Sequence, residues 1–219
     1  MLKKFLKLIK FLNVKTIWFN FHYLPFHQAT RLPIFISRNV RLFKAKGTIE
    51  IKGNLEPGMI KIGHGFVGIF DKKLSKSIWE VTGKVIFNGG ANIGHGSKIS
   101  VSGVLELGRN FIITAESSII ATKRVKIGDD CMFSWEVLVL DTDYHKIFYE
   151  GQIINQPKEI IIGNKCWIAC RTIILKGSII PDQTIIGAGS LVNKELKDSK
   201  AIYAGNPLML HKKEISWDY

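Results

Sequence analysis

The chain has 219 residues, 46% of them hydrophobic and 22% charged, with a formal charge of +13. That size and apolar content build one domain or one repeat array, which excludes a disordered tail, and no apolar run approaches the ~18 residues of a membrane span. The charge is uneven: residues 1–49 hold ten Lys or Arg and no Asp or Glu, which leaves 21 basic and 18 acidic side chains for the rest. The basic pI is therefore a property of one segment and is no argument for nucleic-acid binding by the whole chain.

In chain order, residues 1–12 place Leu2, Phe5, Leu6, Ile9 and Leu12 at helical spacing, with Lys3, Lys4, Lys7 and Lys10 between them. The spacing predicts a short basic amphipathic helix. Two fates are open to it: peripheral contact with an anionic membrane surface, or packing on its own protein or a neighbouring subunit. Lys7 and Lys10 interrupt the apolar stretch, so it does not read as a signal peptide. Residues 17–36 are rich in aromatics around Pro25 and Pro33 and read as an extended or mixed segment over the start of a core. No nucleic-acid motif accompanies them, and no nucleic-acid partner is expected.

From Ile162 onward an aliphatic residue recurs at every sixth position: Ile162, Ile168, Ile174, Ile180, Ile186 and Val192. Four residues after each of the first five stands a small one: Cys166, Thr172, Ser178, Thr184 and Ser190. Phe87, Ile93 and Ile99 begin the same ladder. Leu107, Ile113 and Ile119 resume it after a two-residue slip, and Ile127, Phe133 and Val139 after another. A period of six fits neither an amphipathic helix nor a hairpin sheet, but it fits a coil with three flat faces. The aliphatic side chain points into such a prism, and the small residue sits inside near a corner. Stacked coils then bury one continuous apolar column.

The stretch Ile162-Gly-Asn-Lys-Cys-Trp-Ile-Ala169, the coil Gly187-Ala-Gly-Ser-Leu-Val192 and the ending Ala204-Gly-Asn-Pro207 resemble the hexapeptide-repeat acyltransferases. The resemblance covers roughly residues 60–210. It implies an all-β fold, a left-handed parallel β-helix with a short N-terminal helical segment and an extruded active-site loop. It also implies a homotrimer with acetyl-coenzyme A in the groove between neighbours and no metal. The organisation expected is a basic segment 1–49, a β-helix 50–210 with its loop at 140–161, and a tail 211–219.

The ladder breaks between Val139 and Ile162, a gap of 23 residues that six does not divide. The break holds Asp141-Thr-Asp143-Tyr-His145, the one His closely flanked by two carboxylates. A neutral imidazole there suits proton abstraction from an acceptor hydroxyl, and a neighbouring carboxylate would fix its tautomer. The segment is similar to the Asp-Thr-Asp-Phe-His of polysaccharide-modifying members. The resemblance implies His145 as catalytic base, with Asp143 ahead of Asp141 as its orienting partner. Trp135 and Glu136, one coil earlier, are candidate acceptor contacts together with Asp141.

For the coenzyme, the resemblance implies Ala169, Cys170, Gly187 and Ala188 along the pantetheine and Pro207 at the adenine. Lys194 is preferred to Arg171 and Lys212 at the 3′-phosphate. Cys131 and Cys166 fall on inward positions and are expected to be inert fillers. His64 and His95, each in Ile-Gly-His-Gly, read as turn residues, because the five-residue His pair of β-helix carbonic anhydrases is missing. Three cysteines, an odd count without metal spacing, suit a reducing compartment. The expected location is the cytoplasm, at the inner face of the membrane if the N-terminal helix binds lipid.

The function expected is O-acetylation of a sugar hydroxyl, in surface polysaccharide biosynthesis. The alternatives are N-acetylation of an amino sugar or antibiotic, and a non-catalytic trimeric scaffold. The acceptor pocket is expected from the loops 68–84 and 140–161.

Overall fold

A computed structural model describes residues 11–218. The expected basic helix lies outside these residues over positions 1–10. Parallel strands stack into three faces of nine, seven and six strands, a three-sided parallel β-helix of the left-handed hexapeptide type. The first face runs from Ile34–Ile36 through Ile60–His64 and Ala91–Gly94 to Ile202–Ala204, where Met209–Lys212 closes it antiparallel. The second face begins with Val40–Ala45 and ends with Leu191–Val192, and the third runs from Thr48–Ile51 to Ile179–Ile180. The prism thus starts at Ile34, upstream of the boundary at 50 that the repeats suggest.

The ladder residues fill the inside. Ile93, Ile113, Phe133, Ile168 and Ile186 form one buried column, and Ile99, Ile119, Val139, Ile174 and Val192 another. The small residues four positions on are buried too, and their polar atoms are matched by corner carbonyls. Thr172 Oγ1 donates to the Gly187 oxygen (3.2 Å), Ser178 Oγ to Val192 (3.1 Å) and Thr184 Oγ1 to Pro181 (2.7 Å). A hydroxyl is tolerated inside because the turning backbone supplies its acceptor.

The period of the stack changes along the chain. Asn92 pairs with Ile112 and Ile112 with Met132, twenty residues a turn, whereas Ile161 pairs with Ile179 and Trp167 with Ile185, eighteen. The two extra residues sit at the edge between the second and third faces, at Ser102–Gly103 and Thr122–Lys123, so one wide corner accounts for both slips. Two excursions leave the stack. One spans 65–76 and the other leaves after Leu140 and returns before Ile160. Ser77–Val81, expected within the first loop, is a coil strand in register with Lys98–Val101.

Residues 14–23 and 26–29 are helical and 34–36 form a strand, so this part of the chain is mixed rather than extended. Helix α1, Val14–Tyr23, is capped by Asn13, whose side chain accepts from Thr16 N, and helix α2 follows at Phe26–Ala29. The inward side of α1 stands in for a missing strand. Asn20 Nδ2 donates to the Ile34 oxygen (2.7 Å) while its Oδ1 accepts from Ile34 N (3.1 Å), and Thr16 Oγ1 accepts from Ile36 N (3.1 Å). The open edge of the first strand is thereby satisfied and closed to further pairing. Phe19 and Tyr23 pack on the buried Trp79, whose indole donates to Tyr23 Oη at 3.0 Å.

Candidate active site

The second excursion leaves the edge between the second and third faces through a narrow neck. Asp141 is fully buried there, and its carboxylate accepts from Thr122 N (2.8 Å), Thr122 Oγ1 (2.9 Å), Lys123 N (2.7 Å) and Arg124 N (2.9 Å). Its carbonyl accepts from Lys158 N at 3.2 Å and closes the neck. The expectation that Asp141 touches the acceptor is corrected: every lobe of the carboxylate faces the preceding corner, so the residue is a clamp.

Beyond the neck the chain forms a small hairpin, Phe148–Tyr149 against Gln152–Ile153, turned at Glu150 and Gly151 with φ of 49° and 75°. Paired positive φ values give the tight turn whose twist matches two strands. Asn155 braces the hairpin against the His145 segment. Its Nδ2 donates to the His145 carbonyl (2.7 Å) and to Asp143 Oδ2 (2.9 Å), and its Oδ1 accepts from Ile147 N (2.7 Å). Lys176, on the next coil, donates to the same Asp143 oxygen and to the Asn155 carbonyl (3.0 Å). The Lys176 ammonium, then the Asn155 amide, hold the Asp143 carboxyl below its ordinary range.

Asp143 therefore does not orient the imidazole through its carboxylate, as the sequence led us to expect. It receives the His145 N–H on its backbone oxygen (2.7 Å) and holds the backbone of that residue in place. The His145 side chain is exposed, and among the described residues its ring makes no hydrogen bond. Asn155 and Lys176 escaped the sequence reading. The only signal for them was membership of, and adjacency to, the same break.

The other candidates fall on a different edge, between the first and second faces. Trp135 and Glu136 turn the corner there, half-buried; Trp135 accepts from Arg171 N (3.1 Å) and Glu136 pairs with the Arg171 guanidinium (2.8 Å). Arg171 is engaged by that pair, which weakens it as a phosphate ligand. Ala169, Cys170, Gly187 and Ala188 occupy the same edge on successive coils, and Ala204–Pro207 lies over them through Gly205 N to Ser190 Oγ (3.0 Å). Lys194 instead stands exposed beyond the second face, at the edge from which the His145 excursion leaves. Lys212 lies in the closing antiparallel strand.

This corner tests the fit of a pantetheine. Ala169 N and Gly187 N are spent on Ile186 and Tyr203 carbonyls (2.9 and 2.8 Å), and a Cβ on Gly187 would meet the Ala204 Cβ at 2.7 Å. Gly187 is thus required by coil stacking. The neighbouring Cys170 and Ala188 N–H groups donate to no group among the described residues. An amide-bearing chain laid along the corner finds donors there, and the residues fit.

The remaining chemistry-bearing groups are structural. Cys131 and Cys166 are buried in the interior; contact between the two thiols, with burial, pushes the Cys131 thiol up. Cys170 is half-buried at the outer edge. His64 ends a strand and His95 sits fully buried in the following corner. No three His, Cys, Asp or Glu side chains stand together as a metal site among the described residues. No described helix is long and apolar enough to cross a membrane.

No family profile matches the sequence. The chain is 32% identical over 106 residues to the galactoside O-acetyltransferase of Escherichia coli K12 and 34% identical over 124 residues to the polysialic acid O-acetyltransferase of Escherichia coli O1:K1. These matches cover 47% and 56% of this chain, and it spans about half the length of the first relative (51%) and less of the second (38%). Among solved structures, the polysialic acid-specific acetyltransferase NeuO superposes with a TM-score of 0.62 at 24% identity, over 85% of this chain and 79% of that one. That likeness fixes the fold, a hexapeptide-repeat β-helix. The relatives that the chain matches in sequence are named as O-acetyltransferases, and it is similar to them and, in fold, to the hexapeptide-repeat acyltransferases.

Proposed function

We propose that this chain transfers an acetyl group from acetyl-coenzyme A to a hydroxyl of a sugar or glycan, with His145 as general base. One observation carries the reading. The excursion that interrupts the stack presents an imidazole whose backbone is braced by Asn155 and Asp143 while its ring stays free for a substrate proton. The relatives' acceptors, galactosides and polysialic acid in their names, support a glycan acceptor and a role in surface polysaccharide assembly.

In this reading the His145 ring takes the acceptor's hydroxyl proton as the oxygen attacks the thioester carbonyl. Collapse of the tetrahedral species forms the ester and expels the coenzyme thiolate, which recovers the proton from the imidazolium. General-base help of this kind contributes about 10²–10⁴-fold. The Cys170 and Ala188 amides hold the pantetheine, Pro207 bears on the adenine and Lys194 on the 3′-phosphate. Trp135 supplies an apolar wall and Glu136, with Asp143, a polar rim for the acceptor. His145 and Lys194 share one edge of the prism while Cys170, Ala188 and Pro207 share another. The complete site therefore assembles between copies, which supports a homotrimer.

The test supplies acetyl-coenzyme A with panels of hydroxyl and amine acceptors and follows release of the free thiol. A hydroxyl acceptor is expected to turn over, and His145→Ala to lose about 10²-fold or more. Preference for amines would reassign the chemistry to N-acetylation. Failure to bind acetyl-coenzyme A would leave a scaffold.

A further inference from the structure

The N-terminal end of the prism carries an apolar face that no described residue covers. Thr16, Phe19 and Asn20 turn the buried side of α1 inward. Val14, Ile17, Trp18 and Phe21, spaced as one helical stripe, point the other way and are 82%, 49%, 44% and 45% exposed. Phe26 of α2, 75% exposed, extends the stripe with its ring in edge contact with Phe21 at 5.9 Å. The inward side of α1 is largely polar, with Thr16 and Asn20 bonded to the first strand, so the helix keeps its apolar stripe outward, the reverse of an ordinary surface helix. Of the polar side chains there, His22 is stacked on Trp18 at 4.4 Å and Lys15 Nζ turns aside to the Arg38 and Val40 oxygens (2.7 Å each).

Beside the stripe lies a cleft of about 450 Å³ whose charged lining is Lys15, Arg38, Arg41 and Lys76, with no carboxylate. Arg41 stacks its guanidinium 5.1 Å over the exposed ring of Phe43. The first acidic residue of the chain is Glu50, so nothing in the first 49 residues neutralises these cations from within the sequence.

We propose that this end of the molecule docks on an anionic phospholipid surface. Trp18, with its indole N–H, enters the headgroup–acyl boundary, Phe21 and Phe26 bury their apolar rings beside it, and the cleft cations take lipid phosphates. A second copy paired face to face is a poor occupant, because it brings two sets of cations together with no acid to match them. The catalytic reading plays no part in this inference, which stands on the helix stripe and the cleft alone. It places the enzyme's N-terminal end at the membrane.

The full-length protein is sedimented with vesicles of phosphatidylcholine, alone or with phosphatidylglycerol, at low and high salt. Binding is expected only with phosphatidylglycerol and is expected to weaken with salt, since the screening length contracts from about 10 Å at 0.1 M to 3 Å at 1 M. Trp18→Ser with Phe21→Ser, and separately Arg38→Gln with Arg41→Gln, should each lower the bound fraction about tenfold, as both the apolar and the electrostatic contributions are needed. All four side chains are exposed, and an unchanged melting temperature confirms that each variant folds. Equal binding to both vesicle types, no binding to either, or variants that bind like the wild type would overturn the proposal. So would a variant that changes the oligomeric mass, which would make the stripe a contact between copies.

Discussion

The side-chain amide of Asn155 lies 2.7 Å from the backbone oxygen of His145, ten residues earlier in the chain. With its bonds to Asp143 and Ile147, it makes one planar group the brace for the whole segment that carries the imidazole. Replacing Asn155 by Ala removes two donors and one acceptor and lets that segment drift. A shift of about 1 Å in a catalytic group costs up to about 10²-fold in rate. We expect Asn155→Ala to lower kcat by about 10- to 10²-fold, with the KM for acetyl-coenzyme A unchanged, because Asn155 bonds none of the residues assigned to the coenzyme. The coil melt should also stay the same. Asn155→Asp keeps the acceptor and loses both donors, so it should not restore the rate.

Asp141 predicts the opposite pattern. Its carboxylate satisfies three consecutive backbone N–H groups and a hydroxyl at the wide corner of the preceding coil. Each buried donor left without a partner costs about 1–3 kcal/mol. Asp141→Ala should therefore destabilise the fold by roughly 3 kcal/mol or more, which for a chain of this size lowers the melting temperature by about 6–12 °C. Circular dichroism melting reads this directly. A variant with wild-type stability and lost turnover would return Asp141 to the acceptor site.

The contrast between these two aspartates shows where the sequence stopped being informative. The six-residue ladder, its inward small residues and the break at 140–161 were legible because side-chain burial follows the period of the backbone. Cys131 and Cys166 could be placed inside on that ground alone. The roles of Asp141 and Asp143 depend on which way a non-repeating loop turns, and no period records that. The start of the prism was illegible for a related reason. Ile34–Ile36 pairs with Ile60–Ile62 across a 26-residue first turn, so no sixfold register leads back to it. Trp79 is fully buried against Phe19 and Tyr23 of α1, outside the aliphatic pattern that marks later coils. Helix α1 was hidden because its inward side carries the polar Thr16 and Asn20 while apolar residues face outward, the reverse of the usual surface helix.

Coil stacking sets a third prediction. A Cβ on Gly94 would stand 1.5 Å from the Thr114 carbonyl oxygen of the next coil, and 2.3 Å from its carbon. Backbone cannot yield there without spreading two ladders. At Gly53, by contrast, a Cβ meets nothing within 4 Å and the only penalty is a φ of +83°. Gly94→Ala should cost more than about 3 kcal/mol and reduce soluble yield. Gly53→Ala should cost about 1–2 kcal/mol, the ordinary strain of a left-handed residue. Similar melting temperatures for the two would mean that the coils are looser than the spacing shows.

The half-buried His64 and the buried His95 make stability depend on pH. Burial, then the Lys72 and Lys61 ammonium groups, depress the His64 pKa from 6.5 to about 4. His95 is shifted the same way by burial, then by Lys72, with the Glu116 carboxylate opposing. A folded pKa below the unfolded one means that the unfolded chain binds the proton more readily. The contribution is thus intact above pH 6.5 and is lost as pH falls from 6.5 toward about 4. Glu80 and Glu116, whose carboxyls sit below their usual 4.5, lose their share only at more acidic pH. Melting temperatures at pH 7.5 and pH 5 separate the two effects: wild type should fall appreciably between them, and His64→Gln, which keeps a polar side chain of similar size without the titration, should fall less. Equal slopes for both proteins would show that His64 is hydrated in solution and takes up its proton near the ordinary histidine value.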